Sequence, residues 1–160
     1  MVSAITEELF SIVGDLISAG LNNNLLAEEL SPSLSKLERS LCKWIAMRIG
    51  MNPNSGGVAA SGGSLSNLMA LVLARHQANL SFDPDSVILA SRESHVSISR
   101  ALKIMGLPPD SFWEVLTDSD GRISIDSLQT QIAKIRSLGR KCFAVVATAG
   151  TTVRGAIDPL

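Results

Sequence analysis

The chain has 160 residues, 46% of them hydrophobic and 18% charged, a composition that fits one globular domain or part of a larger one and excludes disorder. Its 14 Lys and Arg against 15 Asp and Glu give a formal net charge of -1, so no basic face recommends a nucleic-acid partner. No apolar run approaches the ~20 residues that a membrane span needs, and the opening MVSAITEELF carries Glu7 and Glu8 in place of a basic leader; the expectation is a cytoplasmic protein with no membrane partner.

In chain order, residues 6–19 predict a helix with Leu9, Ile12, Val13, Leu16 and Ile17 on one face. An Asn-rich loop follows, closed by Ser31-Pro32-Ser33, which are start signals for a second helix over 34–49. Gly50, Pro53, Gly56 and Gly57 break it. From there short apolar runs alternate with helical patterns. GVAA, at 57–60, reads as a first strand, and SLSNLMALVLARHQ, at 64–77, as a mostly buried helix. SVILA reads as a buried strand, HVSISRALKIMG as a helix closed by Gly106, and SFWEVL as a strand. IDSLQTQIAKIRSLG reads as an amphipathic helix opened by Ser124 or Asp126 and closed by Gly139, and CFAVVATAG as an almost wholly apolar strand. Such alternation predicts an α/β fold, a mostly parallel sheet with flanking helices on both faces. Residues 1–50 form an N-terminal helical segment and 51–160 an incomplete α/β domain, because the chain stops where another helix could begin. Cys42 and Cys142 lie far apart in apolar contexts and read as buried, reduced thiols.

Ligands of open α/β sheets collect at the carboxyl ends of the strands. Three loops are expected there: SGGSLSN at 61–67, SRESH at 91–95 and TAGTTVRG at 148–155. In the first, Gly62 and Gly63 permit close backbone approach, Ser64 is placed to cap the next helix, and the helix N-terminus offers amides to an anion. A plain glycine turn remains the alternative. Gly57 to Ser64 matches a P-loop except that Gly63 stands where the lysine belongs, which argues against an NTPase. In the second loop, His95 sits at a helix N-terminus, where the dipole opposes a charged imidazole; a neutral, flat ring could stack on a planar ligand or simply face water. In the third, Thr151, Thr152 and Asp158 offer hydroxyls and a carboxylate, or a strand exit and a helix cap. His76 and His95 have no cysteine or acid at ligand spacing, so no metal site is expected.

The stretches SPSLSKLERSLCKWIAMRIGM, GGVAASGGSLSNLMALVLAR, SRESHVSISRALKIMGL and FAVVATAGTTVRGAIDPL together resemble the pyridoxal-phosphate-dependent amino-acid decarboxylases of the glutamate, aromatic-amino-acid and diaminobutyrate group. The resemblance runs from about Asn22 to Leu160. It implies the N-terminal part of a large domain of the aspartate-aminotransferase-like fold (fold type I) and pyridoxal 5'-phosphate as cofactor. Gly63 and Ser64 would hold the cofactor phosphate, His95 would stack on its ring, Thr152 would lie beside cofactor and substrate, and Asp158 would sit near the same edge. His95 and Thr152 are the implied catalytic residues. The complete enzyme would be a homodimeric carboxy-lyase that decarboxylates an L-amino acid through an external aldimine. The Schiff-base lysine and the carboxylate at the pyridine nitrogen lie, in the family, past the point where this sequence stops; Lys36, Lys43, Lys103, Lys134 and Lys141 are not in the family's His-Lys context. The 160-residue chain alone is therefore expected to be inactive and prone to self-association. Two alternatives stand beside this one: a non-catalytic remnant that binds a phosphate ligand or a partner, and a fragment of another fold-type-I lyase.

Overall fold

The computed structural model describes residues 2–22, 24–25 and 27–159, with side chains described from residue 8 except at 23 and 26. Asn23 and Leu26 of the expected Asn-rich loop, the side chains that open the first expected helix, and Leu160 lie outside the described residues. Two compact units divide after Ala59, whereas the sequence suggests a division after Gly50. The intervening loop hangs on the second helix: the Met51 amide donates to the Ala46 carbonyl at 2.9 Å and the Ala59 amide to Glu38 Oε1 at 2.8 Å. Gly57 lies so close that a Cβ there would stand 3.1 Å from Cys42 Cβ.

The first unit contains α1 (Val2–Leu21) and α2 (Pro32–Arg48). Pro32 starts α2 two residues earlier than the apolar periodicity suggests, because its fixed φ suits the first helical position. Leu9, Phe10, Ile12, Val13, Leu16 and Ile17 of α1 are all exposed, as are Leu37, Leu41 and Trp44 of α2. Apolar surface bared on this scale drives association. Sedimentation of the 16.9 kDa chain is expected to show concentration-dependent oligomers; a monomer at every concentration contradicts this.

The second unit contains α3 (Gly63–Gln77), β1 (Ser86–Ser91), α4 (Ser97–Ile104), β2 (Phe112–Val115), α5 (Ile125–Ser137) and β3 (Lys141–Val146). The sheet is parallel throughout, in the order β2-β1-β3. Ser91 pairs in register with Val115, and Ala90 with Val146, so the carboxyl ends of all three strands share one edge. Every residue of the central strand β1 is buried. Its side chains alternate between two cores. Ile88 and Ala90 pack with Leu71 of α3 and Ile98, Ala101 and Leu102 of α4. Val87 and Leu89 pack with Val115, Ile123 and Ile135 on the α5 side. Local signals set the helix ends: Ser124 Oγ accepts from the Ser127 amide, and Gly106 and Gly139 adopt φ of +71° and +68° after α4 and α5. Lys141 Nζ, 3.0 Å from Asp83 Oδ2, ties the start of β3 to the turn before β1. The hydrogen bond from Lys141, helped by the Asp85 amide, holds the Asp83 carboxyl below its ordinary pKa. The tie is therefore present at neutral pH and is lost as pH falls through that lowered value.

Four expectations are corrected. Residues 57–60 form no strand; four residues with a glycine and no pairing partner among the described residues cannot hold a ladder, and Val58 is exposed. Only Leu71 and Arg75 of α3 are buried, while Leu65, Val72 and Leu73 are exposed. β3 is half-buried to exposed because β1 pairs along only one of its edges. Cys42 is half-buried and Cys142 exposed, both as free thiols; partial desolvation still pushes the Cys142 thiol pKa up.

Candidate active site

The edge formed by the strand ends carries three loops: 92–96 after β1, 116–124 after β2 and 147–158 after β3. The expected loop at 61–67 follows no strand. It joins the same region because α3, which it opens, packs on β1 beside α4. A groove between α3 and β3 is lined by Asn67, Ala70, Leu71, Ile98 and Ala147.

At the start of α3 the N-cap is Gly62, with extended φ of 165°, and no side chain caps the helix. Ser64 is the second residue inside the helix, so the expected serine cap is replaced by a glycine cap. The Leu65 and Ser66 amides both donate to the Gly62 carbonyl at 3.1 Å. The Gly63 and Ser64 amides, the orphan donors of the first turn, have no partner among the described residues. A Cβ built on Gly62 or Gly63 meets nothing within 4 Å. Neither glycine is forced by this chain's own packing, and the space beside their α-carbons is open. This is the arrangement an anion uses at a helix N-terminus.

His95 stands one residue before the N-cap of α4. The Ser97 amide donates to its Nδ1 at 3.2 Å, and Ser97 Oγ lies 2.8 Å from the same nitrogen. The imidazole thus serves as the acceptor for an orphan amide of the first turn of α4. An amide donor aimed at Nδ1 favours the arrangement in which that nitrogen accepts. On the same edge the hydroxyls of Ser91, 1% exposed, and Ser94 are buried without a hydrogen-bond partner among the described residues.

The loop after β3 folds back on itself. The Gly150 and Thr151 amides donate to the Ala156 carbonyl at 3.0 and 2.9 Å, and the Ala156 amide returns to Thr151 Oγ1 at 3.0 Å. Gly150 and Gly155 take φ of +104° and +64°, a region that side chains resist. Thr151 is buried and spent inside the loop, whereas Thr152 is exposed with its hydroxyl unpartnered among the described residues. Asp158, 3% exposed, accepts the Ile123 amide on Oδ1 and the Thr148 amide on Oδ2, each at 2.7 Å. Both oxygens are occupied by backbone. Asp158 clamps this loop to the start of α5. The residue type and position identified it; only the fold reveals the two amides. Asn67, which contacts Ser97, was missed because an amide inside a helical pattern carries no signal of its partner.

All five lysines are exposed: Lys36 and Lys43 on α2, Lys103 near the end of α4, Lys134 on α5, and Lys141 at the opposite end of β3. None lies on the loops of the carboxyl edge. Gly63 and Ser64 thus offer main-chain amides, His95 an imidazole and Thr152 a hydroxyl, a set whose chemistry suits a phosphate and a flat ring.

Known proteins resemble this chain in sequence and in fold. The chain is 36% identical over 150 residues to an aromatic-L-amino-acid decarboxylase of Bacillus atrophaeus, covering 93% of this chain and 31% of that protein. It is 34% identical to the cysteine sulfinic acid decarboxylase of Mus musculus, with 94% and 32% covered. Among solved structures, apo mouse CSAD superposes with a TM-score of 0.86 at 33% identity, over 93% of this chain and 33% of that one. The glutamate decarboxylase domain of a Vibrio parahaemolyticus protein superposes with a TM-score of 0.86 at 28% identity, over 92% and 35%. The chain thus spans about a third of the length of the relatives it matches. The profile of the pyridoxal-dependent decarboxylase conserved domain matches residues 2–160, and the chain belongs to that family.

Proposed function

We propose that this chain supplies the phosphate cradle, the ring-stacking histidine and a substrate-side hydroxyl to a pyridoxal-phosphate-dependent decarboxylase of L-amino acids. The observation that carries the reading is the pair of amides at Gly63 and Ser64 without a partner among the described residues, on the helix whose Asn67 reaches Ser97 at the start of α4. The cofactor, when bound, supplies an electron sink for the bond that breaks at the substrate α-carbon. Gly63 and Ser64 hold the phosphate dianion by main-chain hydrogen bonds reinforced by the α3 dipole. His95 presents a ring fixed in orientation by the first turn of α4 and keeps its proton on Nε2. Thr152 offers a hydroxyl at the tip of a loop that Asp158 and two left-handed glycines hold in shape. The lysine that would capture the cofactor and the carboxylate that would face its pyridine nitrogen come from outside this chain in the proposed enzyme.

The same reading extends to a homodimer in the cytoplasm. The bare apolar faces of α1 and α2 support association, and two free thiols suit a reducing compartment. The test is carbon dioxide release from carboxyl-labelled L-amino acids by a protein that carries this chain together with the family's lysine-bearing segment. Replacing His95 by alanine is expected to lower kcat/KM by roughly 100-fold, the scale on which loss of one positioned active-site group acts. Unchanged turnover in that variant removes His95 from the site, and release by the 160-residue chain alone overturns the assignment of the missing lysine.

A further inference from the structure

We infer that Asn67 and Ser97 are positioning residues that fix both the ring orientation and the tautomer of His95. The inference takes its functional meaning from the proposed role of His95, but its geometry stands apart from any cofactor. Asn67 Nδ2 donates to Ser97 Oγ at 2.7 Å. The hydroxyl, having accepted, turns its own proton toward His95 Nδ1 at 2.8 Å. The Ser97 amide adds a second donor at 3.2 Å. Ser97 is 2% exposed and Asn67 half-buried, so water competes little for these groups.

The relay joins two elements. Asn67 lies one turn along α3 from Gly63, and Ser97 is the first residue of α4. The helix whose free amides form the cradle therefore also sets the direction in which the imidazole donates. A shift of α3 against α4 alters the phosphate donors and the ring together. Polarity runs one way: amide to hydroxyl to imidazole. It depends on Asn67 presenting a donor, which an aspartate cannot do.

That dependence provides the test. His76 and His95 are the only histidines, so imidazole nitrogen-15 spectra of the labelled chain are assignable with a His76→Gln variant. At a pH where the ring is neutral, the wild-type chain is expected to show a pyridine-like Nδ1 and a pyrrole-like Nε2 for His95. In Asn67→Asp the carboxylate accepts the Ser97 proton, the hydroxyl oxygen then accepts from His95 Nδ1, and the two nitrogen signals shift toward the opposite tautomer. Ser97→Ala, which loses the hydroxyl but keeps the main-chain donor, is expected to move both nitrogen signals part of the way toward averaged values, and Ser97→Thr to restore the wild-type pattern. These side-chain readouts separate a relay from mere packing. Wild-type-like shifts in both Asn67→Asp and Ser97→Ala overturn the inference, as does an averaged tautomer in the wild-type chain. Titration with pyridoxamine 5'-phosphate, run in parallel, reports on the cofactor reading independently: absent binding with a fixed tautomer rejects that reading and leaves the relay standing.

Discussion

Asp158→Ala is expected to lower the stability of the chain by about 3 kcal/mol, because it deletes two hydrogen bonds to a charged group, each worth ~1.5–3 kcal/mol before the surroundings relax. The carboxylate is 3% exposed, and its partners are the amides of Ile123 and Thr148. With the acceptor gone, the Ile123 amide remains buried with nothing to replace it. The residue-158 amide, which alanine retains, still donates to the Thr148 carbonyl at 2.9 Å, so the loss is confined to the two side-chain bonds. Asp158→Asn keeps one acceptor and turns a donor toward the other amide, so it is expected to recover less than half of the loss. Urea denaturation measures the first effect, and hydrogen exchange at Ile123 and Thr148 locates it. A loss below about 1 kcal/mol with both amides still protected contradicts the clamp.

Ser64→Asp is expected to weaken binding of pyridoxamine 5'-phosphate by roughly 100-fold, about 2.7 kcal/mol, the scale of a like-charge contact near a protein surface. The substitution is informative because it separates binding from folding. An acidic side chain in the first turn of a helix interacts well with the dipole, so α3 itself is not weakened. The new carboxylate can, however, occupy the Gly63 and Ser64 amides and repel a phosphate dianion from them. A variant that melts like the parent yet no longer binds the phosphate places the anion at this helix end. Unchanged affinity places it elsewhere.

Elements whose cause is local were legible in the sequence. The run Ser86-Val-Ile-Leu-Ala90 read as a buried strand, and Ser124 or Asp126 with Gly139 bracketed α5, which Ser124 caps. The place of His95 at a strand-to-helix junction was legible, but its hydrogen bonds to Ser97 were not. Features whose cause is a distant partner were not legible. The apolar residues of α3 suggest burial, yet several remain bare, because composition says how a side chain behaves in contact and not what it contacts. The same holds for β3, whose apolar run has a partner along one edge. GVAA has strand-like composition, but a strand is a property of a pair. The two amides that hold Asp158 were not legible, because a clamp across 35 residues leaves no trace in spacing. Asn67 stayed hidden for the same reason, since its partner Ser97 lies 30 residues away.

The central claim is that the start of α3 is a cradle for the phosphate of a pyridoxal-type cofactor. Equilibrium dialysis against pyridoxamine 5'-phosphate and against pyridoxamine tests it most directly, since neither ligand has an aldehyde to react with the exposed lysines and the two differ only in the phosphate. The account predicts that the parent chain binds the phosphorylated form at least ~10-fold more tightly, a margin of ~1.4 kcal/mol, and that Ser64→Asp abolishes the difference. Equal binding of the two ligands by the parent chain, or a preference that survives in Ser64→Asp, contradicts it.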